Sequence, residues 1–149
     1  LGLCTAGRDE GSFKFETEVL TEQIDFYVCL LSTADELGYK VEDVRVSVTA
    51  LDERRLGALQ ADVLDTLSSR FPSVGFGCDH DRQSGRGYYV DACFGIYARN
   101  QSGTEYFLVD GGFTTWTQRL LSNRKERLLI SGMGSERMCV CFGDQTTDT

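Results

Sequence analysis

From Thr21 onward the apolar residues Ile24, Tyr27, Leu31 and Ala34 recur at three- and four-residue steps until Gly38. That spacing predicts an amphipathic helix, with Thr21 as its N-cap and Glu22 beside its positive end. Just before it, the imperfect alternation of Phe13-Lys-Phe-Glu-Thr-Glu-Val19 predicts a strand. Val44, Val46 and Val48 alternate with Arg45, Ser47 and Thr49, the pattern of a strand with one buried face. A second helix is expected from about Asp52 to Arg70, on the stripe Leu56, Leu59, Val63 and Leu67, and Pro72 bars its continuation.

The later half alternates differently. Val74 and Phe76 suggest a short strand, and Asp79 to Gly87 is a polar, glycine-bearing loop. From Gly87 to Ala98, Tyr88, Val90, Ala92, Phe94 and Ile96 fall on one face of a long strand, which sends Tyr88 and Tyr89 to opposite sides. Asn100 to Gly103 turns the chain and Glu105 to Asp110 returns it as an antiparallel partner that Gly111-Gly112 ends. Thr114 to Ser122 is expected to be a short helix and Leu128 to Ile130 a last strand, followed by the glycine-bearing stretch "ISGMGSERM". This order predicts one α+β domain over residues 1–149, a mostly antiparallel sheet flanked by two main helices.

Composition changes that picture little. The chain has 149 residues, 41% apolar and 26% charged, enough for a packed core without a metal or disulfide staple. A formal charge of −8 disfavours broad nucleic-acid binding. The one dense basic run, "RLLSNRKER" at Arg119 to Arg127, is explained by a solvated loop or helix face, or else by a phosphate contact. No stretch is apolar enough for a membrane span, so no membrane partner is expected, and no signal peptide pattern is present. Six cysteines without a CxxC pair predict reduced, buried thiols in a cytoplasmic protein. Cys78-Asp79-His80-Asp81 offers the only histidine, too few ligands for zinc, and no metal is expected there. Asp91 and Asp110, on neighbouring strands, are a weak candidate pair for a cation, and the lone Trp116 is expected to anchor its connection to the core, with a partner surface as the alternative.

Four segments in order carry a resemblance. "KFETEVL" at Lys14 to Leu20, "GYYVDACF" at Gly87 to Phe94, "VDGG" at Val109 to Gly112 and "GMGSERM" at Gly132 to Met138 resemble the later half of a class II aminoacyl-tRNA synthetase core, of the histidyl branch. The last segment is similar to class II motif 3, and Arg8-Asp9-Glu10 resembles the Arg-x-Glu of motif 2. The resemblance implies that Arg137, with Gly132, Gly134 and Glu136, holds ATP, accompanied by magnesium. It also implies an amino-acid pocket made by Glu18, Tyr88, Tyr89, Gly111 and Gly112. Ser84-Gly85-Arg86-Gly87 stands where that branch carries Arg-Gly-x-Asp/Glu, which leaves Arg82 and Arg86 as substitute arginines. No segment corresponds to the motif 1 dimer helix or an anticodon domain, so full tRNA charging is not expected. Three functions remain: a domain binding ATP or an amino-acid-like molecule, a regulatory or interaction module with a protein partner or a second copy of itself, and half of a split adenylate-forming enzyme.

Overall fold

The computed structural model describes residues 1–144. Its elements run β1 (Gly2–Arg8), α1 (Lys14–Ser32), β2 (Val41–Ala50), a helical stretch α2 over residues 53–70, β3 (Gly75–Cys78), β4 (Val90–Asn100), β5 (Glu105–Thr114), α3 (Trp116–Leu120), β6 (Glu126–Met133) and α4 (Ser135–Phe142). The six strands form one sheet in the order β1-β6-β5-β4-β2-β3, antiparallel throughout except for the β2–β3 pair. The α+β expectation holds.

Cross-strand partners share a face, so the register divides the sheet's side chains into two sets. One set contains the rows Val46–Ile96–Val109–Met133 and Val48–Phe94–Gly111–Ser131–Leu3. These rows are covered by Leu20, Ile24, Tyr27, Val28 and Leu31 of α1 and by Leu59, Val63, Leu64 and Leu67 of α2, which together make the core. Each such side chain contributes roughly 1.5–3 kcal/mol on leaving water. A polar network crosses the same layer: Gln23 donates to Thr5 at 2.9 Å, Ser131 donates to Gln23 at 2.7 Å, and the Tyr27 and Ser131 hydroxyls are 2.9 Å apart. Buried polar groups need such partners, and here they lock α1 over β6.

The opposite set carries the rows Ser47–Gly95–Asp110–Gly132–Gly2 and Thr49–Cys93–Gly112–Ile130–Cys4. Apart from Asp110 and Ile130 the side chains of these two rows are small, and no long helix covers them. This is the open face.

Several expectations need correction. Residues 13–19 are not a strand: α1 begins at Lys14, because Phe15, Val19 and Leu20 suit the helical period as well as the extended one and continue into the stripe beyond. Thr21 is therefore inside the helix, its hydroxyl bonded back to the Thr17 carbonyl at 2.8 Å. The start is instead a left-handed run, Gly11, Ser12 and Phe13, with φ of 83°, 53° and 59°. In α2 the segment Leu59–Leu64 is a π-helical turn, which brings Leu64 into the core beside Val63 and leaves Leu56 only half buried. Gly111-Gly112 do not end β5, which continues to Thr114. The strand β1 was missed, since "GLCTAGR" alternates small residues with too little apolar contrast to register.

The cysteines depart from expectation in another way. All six are free, but Cys4, Cys29 and Cys139 are exposed and only Cys93 is fully buried.

Candidate functional site

The open face is built from its two rows of small residues upward. Over the row containing Gly112 lies the ring of Tyr89: a β-carbon added to Gly112 would stand 2.5 Å from the ring and 2.9 Å from Cys93 Cβ. The neighbouring Gly111 serves the other face, where a β-carbon would meet Phe94 and Ser131, each at 2.6 Å. Neither glycine has a positive φ, so both are required by close packing rather than by backbone conformation.

Tyr89 is held by the loop before β4, where its amide and that of Tyr88 both bond the Gly85 carbonyl, at 2.8 and 3.0 Å. The two tyrosines are therefore not alternating residues of a strand. They touch edge to face at 5.0 Å, and Tyr88 continues edge to face onto Trp116 at 5.9 Å. Trp116 is half exposed, so it does not anchor its connection in the core.

Asp110 connects these groups. Arg82, buried, donates from Nη2 to Asp110 Oδ1 at 2.5 Å, and the Tyr89 hydroxyl donates to Oδ2 at 3.2 Å. Arg82 Nε is occupied by the Ser84 carbonyl at 2.9 Å, while Arg86 turns back to the Arg82 carbonyl at 2.6 Å. Of the two substitute arginines only Arg82 makes this ion pair; Arg86 has no ion-pair partner among the described residues. Burial, followed by the Asp110 charge, pushes the Tyr89 phenol above its ordinary range, so it stays protonated and acts as a donor. The sequence marks Asp110 only as a cation ligand beside Asp91. An acidic residue inside the apolar run "FLVDGGF" was the signal available for its role.

Asp91 does not join Asp110. It sits at a bulge in β4 with φ 58°, and the charges acting on it are Arg55, Glu16, Arg127 and Asp52. Among the described residues no group of three or more His, Cys, Asp or Glu could hold a metal ion.

Beyond Asp110 the face opens into a cleft of about 570 Å³ between β5 and the β6–α4 turn, lined by Phe107, Asp110, Gly132, Gly134, Glu136 and Arg137 among others. All four residues expected to hold ATP are thus brought to one cleft. Gly134 donates its amide to the Leu108 carbonyl at 3.1 Å, and Arg137 donates from Nη1 to the Phe107 carbonyl at 2.7 Å, which clamps the helix start to β5. Arg137 Nε and Nη2 have no partner among the described residues. A β-carbon on Gly132 or Gly134 would meet nothing closer than 3.8 or 3.5 Å, so packing within the chain does not require either glycine.

Glu18 does not belong to this site. It lies on the solvent side of α1, 3.8 Å from Lys14, and lines a separate groove with Thr21, Glu22 and Asp25. Its expected place on a strand fails with that strand.

A helix-backed antiparallel sheet with an open face, ending in a strand-to-helix turn that carries an arginine, is the architecture of the class II aminoacyl-tRNA synthetase core, and this chain has a class II synthetase-like fold. The solved structure of the apo form of S. aureus histidyl-tRNA synthetase superimposes with a TM-score of 0.67 at 16% identity, covering 94% of this chain and 38% of the synthetase. The chain thus spans well under half of that protein's length. No protein-family model and no curated protein matches the sequence. Among the described residues no helix is long and apolar enough to cross a membrane.

Proposed function

We propose that this is a synthetase-fold ligand-binding domain that takes the phosphates of a nucleotide such as ATP in the Arg137 cleft without charging tRNA. One observation carries the reading: Arg137 and Glu136, in the first turn of α4, border an open cleft, while Arg82, Asp110 and Tyr89 close the adjoining surface on one another. A guanidinium with Nε and Nη2 unengaged among the described residues, beside a helix N-terminus, suits a phosphate. The side expected to receive an amino acid offers no comparable space, since Tyr89 fills the surface over Gly112 and Glu18 is elsewhere. Magnesium fits only as a companion of the nucleotide. Asp110 is committed to Arg82 and Tyr89, which leaves Glu136 as the cleft's remaining carboxylate, and the metal's other ligands would be phosphate oxygens and water. Bound there, magnesium would neutralise phosphate charge; the chain's own part is to orient the phosphates through Arg137 and the helix start.

Calorimetry with ATP, ADP and AMP tests this, alongside amino acids as controls. Saturable heat with a nucleotide is expected, lost or reduced at least about tenfold in Arg137→Ala, where one charge-assisted contact is removed. Because Arg137 also clamps Phe107, the variant's circular dichroism is compared with the parent. Absence of heat with every nucleotide defeats the proposal, as does binding that Arg137→Ala leaves unchanged. The self-closed amino-acid side also favours a second reading, a non-catalytic interaction module. It predicts a protein complex or an oligomer in native mass spectrometry that Arg137→Ala does not disturb.

A further inference from the structure

The basic run at Arg119 to Arg127 has no part in the cleft, yet the structure gives it an unusual setting. Of the chain's fifteen Lys and Arg residues, ten make ion pairs: Arg8, Lys14, Lys40, Arg45, Arg54, Arg55, Arg70, Arg82, Arg99 and Arg127. The other five are without a carboxylate partner among the described residues. Arg119, Arg124 and Lys125 are three of them, on α3 and the connection from it to β6, and a fourth, Arg86, is two residues from Tyr88. Over residues 115–127 four cations face one carboxylate, a local charge of +3 on a chain of −8.

The same segment carries three of the eight large apolar side chains left exposed among the described residues, and a fourth packs against it. Leu120 is 82% exposed, Leu121 58% and Trp116 49%, and Tyr88, packed on Trp116, is 51% exposed. Trp116 and Leu120 are four residues apart on α3 and so lie on one side of it. Isolated exposed leucines need no explanation, but a tryptophan, two leucines and a tyrosine gathered among unpaired cations do. None of these four residues lines the cleft at Arg137 or the groove at Glu18.

We propose that α3 and its connection to β6 form a membrane-surface contact, which inserts Trp116, Leu120 and Leu121 among the headgroups of an anionic lipid leaflet while Arg119, Arg124 and Lys125 meet lipid phosphates. An exposed apolar group flanked by cations matches the layering of a bilayer, apolar inside and anionic at the rim, and aromatic rings favour that boundary. Charge and apolar surface decide against the alternatives. A symmetric contact between two copies of this surface would set its own unpaired cations against one another, and a single-stranded nucleic acid would use the aromatic pair but leave the two leucines in water. The excess acid does not prevent adsorption, because charges beyond about 8 Å are screened at physiological salt. Surface contact requires no membrane-crossing helix.

Trp116 is the only tryptophan, so its fluorescence reports this surface alone. With the 149-residue chain, vesicles of phosphatidylcholine and phosphatidylserine are expected to co-sediment the protein and shift Trp116 emission to the blue. Phosphatidylcholine alone should do neither, and added salt should weaken binding. Leu120→Ser with Leu121→Ser, and separately Arg119→Glu with Arg124→Glu and Lys125→Glu, should each weaken partitioning at least about tenfold. All five positions are exposed, and circular dichroism confirms that the variants keep the fold. The proposal is overturned if the anionic vesicles leave emission unmoved and the protein in solution. It is equally overturned if both sets of substitutions leave partitioning unchanged, or if single-stranded RNA shifts the emission and the vesicles do not.

Discussion

Asp91 occupies a position that asks two things of one residue. Its φ of 58° favours a side chain that tolerates the left-handed region, and its surroundings take its carboxylate out of water. Burial is the largest influence on its pKa, ahead of the opposing Arg55 charge, and raises it above the ordinary aspartate value. A carboxyl whose folded pKa exceeds its unfolded one favours the native state most when both forms are protonated. Its contribution is therefore greatest below about pH 4 and falls as pH rises through the folded value. Asparagine keeps the conformational preference and removes the charge. Asp91→Asn should accordingly melt at a higher temperature than the parent at pH 7, with the gap closing as the pH approaches 4. Thermal melts at the two pH values decide it; a variant less stable at pH 7 would mean that the attraction of Arg55 and Arg127 outweighs burial.

At the scale of elements, α1 is tied to β6 by a charge that the apolar pattern could not reveal. Glu16, in the first turn of α1, is 2% exposed, accepts from Arg127 Nε at 2.7 Å through Oε1, and leaves Oε2 without a partner. Arg127 also pairs with Asp9 at 3.0 Å, so one guanidinium joins the turn before α1, the helix and the strand. Removing one partner of a buried pair costs about 3–5 kcal/mol, whereas replacing both with apolar side chains of similar volume is often neutral. Arg127→Met should therefore lower the unfolding free energy by about 3 kcal/mol in urea titrations, and Glu16→Met with Arg127→Met should recover most of it. A single variant as stable as the parent would remove the ion pair from the account. The misread strand at residues 13–19 has the same origin. Glu16 and Thr17 are both buried, and a polarity pattern scores such positions as solvent-facing. Once Glu16 counts as an inside residue, Glu16, Val19, Leu20, Gln23 and Ile24 form a continuous helical stripe.

At the scale of the whole molecule, alternation along β2, β4 and β5 disclosed the sheet and the period of α1 and α2 its covering. Those signals come from core packing, where sequence and burial are most tightly linked. That Gly132, Gly134, Glu136 and Arg137 share one cleft follows from their closeness in sequence, since a strand-to-helix turn gathers residues within six positions of one another. The Arg82–Asp110–Tyr89 group was only half legible, since an ion pair between residues 28 apart depends on a loop path that no local pattern encodes. The same sheet order leads to a prediction about stability across the molecule. β4 is bonded on both sides, by β5 and β2, and β5 by β4 and β6, whereas β1 and β3 each have a single neighbour and β3 is only four residues long. An amide exchanges only when its local bond opens, so protection follows how much structure must open with it. Native-state hydrogen exchange should place the slowest amides at Phe94, Ile96 and Val109, in the middle of the two central strands. β1 should show alternating fast and slow amides, because only its inward-facing groups meet β6, and β3 should exchange early. Uniform protection across β1 would show that a further strand or partner covers its outer edge in solution, and the order of opening would then begin at β3 alone.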